Sequence, residues 1–344
     1  MSTNTVWRLP SGAGISALKK VSEPLPSPLP HQYLVRIHAT SLNFRDIVIA
    51  SGTYPLDVKE NVVLGGDLAG EIVEAGSAAA KFKVGDHVTL PCAPKCHYGQ
   101  MSGNPETLGG SVDGALQEYI VLDEADLLRA PSYLSYDELS CFPIAGVTAW
   151  NAFFGGGTPL KSGQTALFQG TGGVSIFGLQ IARTVGAQTI ITTSSDEKAE
   201  IAKKLGATHV INYKKTPDWE KEVKRLTNGV GAHHIFDNVG IAELERCYGA
   251  VAHGGTISHI GFLGGAPEKA VNTPILAIMS ASQTRGILGG SKQQLEELLA
   301  FSEVHQIHPY IHKVFEFDQS PQALEYLQEG RHVGKIVVRV GSQQ

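Results

Sequence analysis

The segment 165–198 restricts the possible folds more than any other part of the chain. A short apolar run, Thr165-Ala166-Leu167-Phe168-Gln169, leads into the glycine turn Gly170-Thr171-Gly172-Gly173. An amphipathic stretch over 174–185 follows and closes at Gly186-Ala187. A second apolar run, Thr189-Ile190-Ile191-Thr192-Thr193, then reaches the polar turn Ser194-Ser195-Asp196. The pattern predicts strand, glycine loop, helix, strand. Glycines at such a turn let the backbone come close to a pyrophosphate. The helix behind them offers unpaired N–H groups and the positive end of its dipole to the anion. Gly170 and Gly172 fit the G-x-G-x-x-G spacing, but Ser175 stands in the third place. A tight strand-to-helix turn without a ligand has the same local look. The position between a strand and a helix is what favours a dinucleotide.

The alternation continues after this unit. Helices are expected over 197–205, 219–226 and 244–251, and strands over 209–213, 233–239 and 256–260. Strands alternating with short helices imply a doubly wound parallel sheet. The first part of the chain reads differently. After a Pro-rich run with Pro24, Pro26, Pro28 and Pro30, short strands and Gly turns dominate to about residue 125, with a long irregular stretch over 90–113. A helical segment over 134–154 is interrupted by Pro143. The tail from 294 onward gives helix, strand, helix and a final strand over 335–340, and periodicity does not choose which sheet that strand joins.

Composition excludes some classes. A net charge of −5 gives no electrostatic case for nucleic acid or an anionic membrane. No apolar run is long enough to span a bilayer. The four cysteines repeat no disulfide spacing and no signal peptide is evident, so a reducing, cytoplasmic setting is expected.

Taken in order, Asn43 to Asp46, Gly65 to Val73, Val84-Gly85-Asp86-His87-Val88, Gly114 to Leu122, Gly146-Val147-Thr148-Ala149-Trp150, the 170–174 turn, Leu205-Gly206-Ala207 and Gly334-Lys335-Ile336-Val337 form a set of spaced motifs. Over essentially the whole chain this set resembles the medium-chain dehydrogenase/reductase superfamily, and within it the zinc-free quinone oxidoreductases and enoyl reductases. The resemblance implies an α/β protein. A GroES-like β-rich catalytic domain would cover 1–126 and be completed by 294–344. A Rossmann domain with a doubly wound parallel sheet would cover 127–293. It also implies that Gly172, Gly173 and Val174 contact the pyrophosphate, that Thr148 lies near the nicotinamide, and that the turn Gly261-Phe262-Leu263 lines its pocket. Asn238, at the end of its strand, joins these cofactor residues. Ser194, Lys198 and Tyr213 would line the ribose-phosphate pocket. The partners implied are a small-molecule substrate and, by resemblance, a second copy in a homodimer paired near 284–288.

The departures carry chemistry. Zinc members of the family have a Cys where this chain has Asn43, and a His-Glu pair where it has Gly66-Asp67. Gly66 has no ligand atom, and Asn43 is a poor zinc ligand beside thiolate or imidazole. Cys92, Cys96 and His97 match no common zinc spacing and lack a fourth ligand, so no metal is expected. A carbonyl oxygen would then be polarised by hydrogen-bond donors or protonated by a side chain. An acidic residue at the end of the second Rossmann strand would favour NAD. That strand is expected to end at Thr193, followed by Ser194 and Ser195, with Lys198 nearby, which favours NADP(H). Asp196 is read as the cap of the next helix; a longer strand would bring NAD back. The expected reaction is hydride transfer to an α,β-unsaturated carbonyl or a quinone. Tyr54 is the candidate proton donor, or a wall of the substrate cleft. Asn43 is the candidate hydrogen-bond donor to substrate or ribose. Arg45 and Asp46 are read as a structural pair. Alcohol/ketone oxidoreduction and a non-catalytic NADP(H)-binding role are the alternatives.

Overall fold

The computed structural model describes residues 3–10, 12–101, 103–262, 264–265 and 271–341. The chain divides into two compact units. The first runs to Val147 and resumes at Gly289; the second is Thr148–Leu288. The segment 127–147, expected in the Rossmann domain, therefore belongs to the first unit. Side-chain bonding explains the difference. Arg339 grips the Asp137 carboxylate at 2.6 and 2.9 Å, His308 Nδ1 meets Glu138 Oε1 at 2.7 Å, and Ser41 Oγ donates to Ser140 O at 2.9 Å. Likewise the amides of Lys292 and Gln293 bond to Cys96 O and His97 O, which returns the chain to the first unit earlier than residue 294.

The first unit is built on a seven-stranded sheet. Its order is Ile311–Glu316, Lys335–Arg339, Gln32–Leu42, Ala69–Ala75, His87–Thr89 and Leu128–Arg129, with Tyr119–Asp123 also pairing to Gln32–Leu42. The final strand thus joins the first unit. It pairs antiparallel with Gln32–Leu42, Val338 opposite Thr40 and Ile336 opposite Leu42. Alternation of Tyr33, Val35 and Ile37 puts fully buried side chains on the core face. Trp7 and Phe317 meet edge to face there, and Trp7 Nε1 donates to Phe317 O. The 134–154 region is a short helix Tyr136–Leu139, a π-helical turn Phe142–Gly146 beginning beside Pro143, and a helix Val147–Phe154. A proline inside a helical pattern removes one ladder donor, and the wider turn absorbs the mismatch.

The second unit holds six parallel strands in the order His209–Asn212, Gln188–Thr193, Thr165–Gln169, Ala232–Asp237, Val251–His259 and Gln283–Gly286. The direction of winding reverses beside Thr165–Gln169, the topological switch point where such sheets take ligands. The Val251–His259 strand begins where a helix end was expected, since the helix Leu244–Ala250 stops one residue earlier. Among the described residues no helix is long and apolar enough to cross a membrane.

Candidate functional site

In the second unit the expected cofactor residues gather at the carboxyl ends of the strands. Gly170 holds φ of +76°, a left-handed conformation that suits glycine. Gly172 caps the helix Gly173–Val185 without a side-chain hydrogen bond, so Gly173, Val174 and the rest of the first turn keep their N–H groups for an anion. A Cβ at Gly170 or Gly172 would meet nothing within 4 Å, so the space above the turn is open. These features fit a bound pyrophosphate. The serine in the third fingerprint place has its own task. Ser175 Oγ donates to Gln169 O at 3.0 Å and accepts from Asn238 Nδ2 at 2.9 Å. Asn238 also donates through Nδ2 to Gln169 O, and its amide N–H bonds Gln169 Oε1. Gln169, not singled out in the sequence, thereby joins the two central strands at the switch point. Close helix packing is supplied instead by Gly178, where a Cβ would stand 2.4 Å from Phe168 Cε1.

Phe262 is exposed beside this edge, and its backbone lies against Gly240. Leu263 lies outside the described residues. His259 Nδ1 is 2.8 Å from Asp237 Oδ2, and Asp237 Oδ1 accepts from the Gly240 amide at 2.7 Å, fixing the neighbouring turn. Thr148 is buried near the start of Val147–Phe154. At the other end of the edge, the second strand ends at Thr193, as expected. Ser195, not Asp196, caps the next helix: Ser195 Oγ accepts from Lys198 N, and Asp196 is the first helical residue. Asp196 is engaged by Lys215 and by Asn212 Nδ2 at 2.8 Å, and Lys215 first, then Asn212, holds its carboxyl below the usual range. Ser194 and Lys198 are half-buried; burial lowers the Lys198 ammonium. Tyr213 is exposed, with its amide bonded to Thr193 O. A cleft of about 460 Å³ lined by Lys224, Tyr248, Val251 and Met279 lies at the amino end of the Val251–His259 strand and takes no part in this edge.

In the first unit, Asn43 opens the helix Phe44–Ala50, and Asp46 reaches back to accept its amide N–H at 2.8 Å, half of a capping box. The Asn43 side chain is committed inward. Its Nδ2 donates to Asp67 Oδ2 at 2.8 Å, and its Oδ1 accepts from Lys335 Nζ at 2.7 Å. Lys335 also donates to Leu42 O at 2.8 Å and Asp67 Oδ2 at 3.2 Å, so all three of its protons find acceptors in a buried ion pair. Asp67 and Lys335 stood in the sequence only as members of two spaced motifs, and their pairing was not foreseen; opposite charges at the two motifs were the available signal.

Arg45 and Asp46 form the expected ion pair, but loosely. The closest approach of the two is a loose 3.9 Å, and Asp46 Oδ1 is buried with no hydrogen-bond partner. Burial, the largest influence, raises the Asp46 carboxyl above its ordinary range. The Arg45 guanidinium instead donates to Leu108 O at 2.8 Å and Thr107 Oγ1 at 3.3 Å, and lies 5.4 Å from the centre of the Tyr54 ring. A Cβ at Gly66 would stand 2.6 Å from Arg45 Nη1, 2.6 Å from Ile144 Cδ1 and 2.9 Å from Cys92 Sγ. Burial pushes the Cys92 thiol up to about 11, which keeps it protonated at neutral pH. Tyr54 is half-buried against the core of this unit.

Residues 29–132 match the family described as the alcohol dehydrogenase GroES-like domain, and 173–303 match the zinc-binding dehydrogenase family. A zinc-type alcohol dehydrogenase-like protein of Schizosaccharomyces pombe is 41% identical over 338 residues, 95% of this chain and 96% of the relative. The chain belongs to the medium-chain dehydrogenase/reductase superfamily. It is an oxidoreductase acting on small molecules, of a family that binds nicotinamide cofactors. A quinone oxidoreductase of Pseudomonas aeruginosa is 32% identical over 278 residues, 80% of this chain and 79% of that one. A solved structure from Sinorhizobium meliloti, described as an alcohol dehydrogenase, superposes with a TM-score of 0.90 at 35% identity, covering 99% of this chain and all of the other.

Proposed function

We infer that this medium-chain reductase uses NADPH to reduce an α,β-unsaturated carbonyl or a quinone without zinc. The observation that carries the reading is at Gly66. A zinc ion there would need a donor atom, and this position has none. The space that a side chain would fill is taken by Arg45 Nη1, Ile144 and the neutral Cys92 thiol. Asn43, the other altered position, has both amide atoms committed to Asp67 and Lys335. The residues therefore do not fit the metal, and no step of the reaction is routed through one.

The end of the second strand favours one form of the cofactor. Asp196 sits within the following helix and is engaged by Lys215 and Asn212. A ribose 2′-phosphate would meet Ser194, Lys198 and Tyr213, which suits NADP(H) over NAD. The Gly172–Gly173–Val174 turn would hold the pyrophosphate, and Thr148, Asn238, Phe262 and Leu263 the nicotinamide half. When bound, the dinucleotide supplies a hydride. Tyr54 would donate the proton that completes reduction, and Asn43 would act by holding the Asp67–Lys335 pair in place beneath the helix Phe44–Ala50. The protein would work as a homodimer. Ile275, Ile278 and Met279 on the helix Thr273–Ser280, and Leu288 just after the edge strand Gln283–Gly286, are exposed and support this. The four free cysteines suit a reducing, cytosolic setting.

The test is NADPH consumption against quinones, enones and aldehydes, with NADH in parallel and a chelator control. Loss of NADPH with an enone or quinone that survives the chelator is the expected result. Turnover with NADH alone would overturn the cofactor assignment. Chelator-sensitive alcohol oxidation would overturn the zinc-free reading and leave alcohol dehydrogenation in its place. In Tyr54→Phe, unchanged turnover would assign the proton to water.

A further inference from the structure

Arg45 is the one member of the first unit's charged cluster that presents surface. Its side chain is 12% exposed, whereas Asp46 and Asp67 are fully buried and Lys335 is 3% exposed. Two glycines make room for its guanidinium. A Cβ at Gly66 would stand 2.6 Å from Nη1, and one at Gly110 would stand 2.7 Å from Nη2. Of the five guanidinium N–H groups, two go to Leu108 O and Thr107 Oγ1, and the Tyr54 side chain is a further hydrogen-bond partner. Those bonds fix the plane of the group, and the ring of Tyr54 lies against it. Asp46 pairs with it as an ion at 3.9 Å without a hydrogen bond. A guanidinium held in place beside a phenol is a site that can receive a developing oxyanion.

We propose that Arg45 is a catalytic residue that receives the substrate oxygen, and that its guanidinium does the polarising work a metal does in zinc relatives. The proposal rests on the reductase reading above. Hydride addition to the β-carbon of an enone breaks the C=C π bond. That electron pair moves toward the carbonyl and leaves an enolate oxygen, which Arg45 N–H groups bind. A proton from the Tyr54 phenol or from water then adds at the α-carbon, the C=O bond reforms, and the oxidised dinucleotide is the other product. For a quinone, hydride addition leaves a hydroquinone monoanion whose oxygen Arg45 binds, and the same donor protonates it. The site therefore selects substrates with a conjugated oxygen acceptor, and simple alkenes are excluded.

A phenol that becomes a phenolate on ionising imitates the enolate oxygen. The first experiment titrates 4-nitrophenol by absorbance on the full chain, without dinucleotide. Wild type should lower the bound phenol's ionisation by about one pH unit, the scale of a neighbouring opposite charge. Arg45→Met should abolish that shift, and Arg45→Lys should keep part of it. In parallel, Arg45→Met should lower kcat/KM for an enone about 100-fold, the scale of losing one oxyanion donor. Its NADPH affinity by fluorescence should stay within about twofold, as expected where cofactor contacts are untouched. An unshifted phenol in wild type overturns the proposal, and needs no variant to fold. A folded Arg45→Met with wild-type turnover and an unchanged phenol titration makes Arg45 purely structural. A shifted phenol in wild type, lost in the variant, together with no NADPH oxidation on any enone or quinone, would leave the oxyanion site standing and remove the reductase reading alone.

Discussion

At Asp113 three donors converge on one side chain. Arg8 Nη1 and the Val63 amide bond Oδ1 at 2.8 and 3.0 Å, and Lys59 Nζ meets Oδ2 at 2.6 Å. Burial would raise this carboxyl, but Lys59, the Val63 amide and Arg8 together outweigh it and hold it below the ordinary range. The bond network closes the loop that carries Thr107, Leu108 and Gly110, since the Lys59 amide also bonds Gly110 O at 2.8 Å. A group with a lowered folded-state pKa stabilises above its unfolded pKa, near 4, and loses that contribution as pH falls through the folded value. Asp113→Asn should therefore cost about 1.5–3 kcal/mol at pH 7 by urea denaturation, and the gap to wild type should close in acid below about pH 4. A gap of the same size at every pH would mean that the charge contributes nothing. No sequence pattern marked Asp113, because its partners come from two segments, around residue 8 and over 59–63, both distant from it in sequence. Asn43 shows the same limit. Its residue type and its place at a helix start were legible, but its commitment to Asp67 and Lys335 required two strands distant in sequence to become neighbours.

The glycine-loop unit was the most legible element. Apolar runs, a glycine turn and a helical period meet within about thirty residues, so local sequence suffices to specify it. What the spacing did not reveal was how the missing third glycine is compensated. The helix Gly173–Val185 lies so close to its sheet at Gly178 that a Cβ would press to 2.4 Å from Phe168 and 2.7 Å from Phe236. Both rings are fully buried and set edge to face, so neither can give way cheaply. Gly178→Ala should lose about 1–3 kcal/mol by denaturation, despite the better helix propensity of alanine. A stabilised variant would show that the rings can move and that Gly178 is not the close-packing glycine. The 134–154 helix was less legible, because Pro143 could end, kink or widen a helix, and only its packing decided for the π-helical turn.

For the whole molecule, the Rossmann sheet ends in a free edge. Among the described residues Gln283–Gly286 pairs only with Val251–His259, and Ile275, Ile278 and Met279, on the preceding helix Thr273–Ser280, are more than half exposed. Large exposed apolar side chains near a sheet edge are what the proposed homodimer would bury. The double variant Ile278→Glu, Met279→Glu should convert a dimer to a monomer in light scattering after size exclusion. A monomeric wild type, or a dimer that survives both charges, would remove this surface from the assembly.

The sequence by itself determined the superfamily, most of the order of elements and the strand–glycine turn–helix unit, because each is written in contiguous residues whose periodicity and glycines act locally. It also exposed the two altered zinc positions as departures. Tertiary structure decided three further matters. The last strand joined the first unit, since its pairing with Gln32–Leu42 is a contact across nearly the whole chain. The 127–147 segment joined that unit as well, through Asp137, Glu138 and Ser140. And Arg45, read from the sequence only as a partner of Asp46, was turned between Gly66 and Gly110, because only folding brings the side-chain-free faces of those two glycines to one guanidinium.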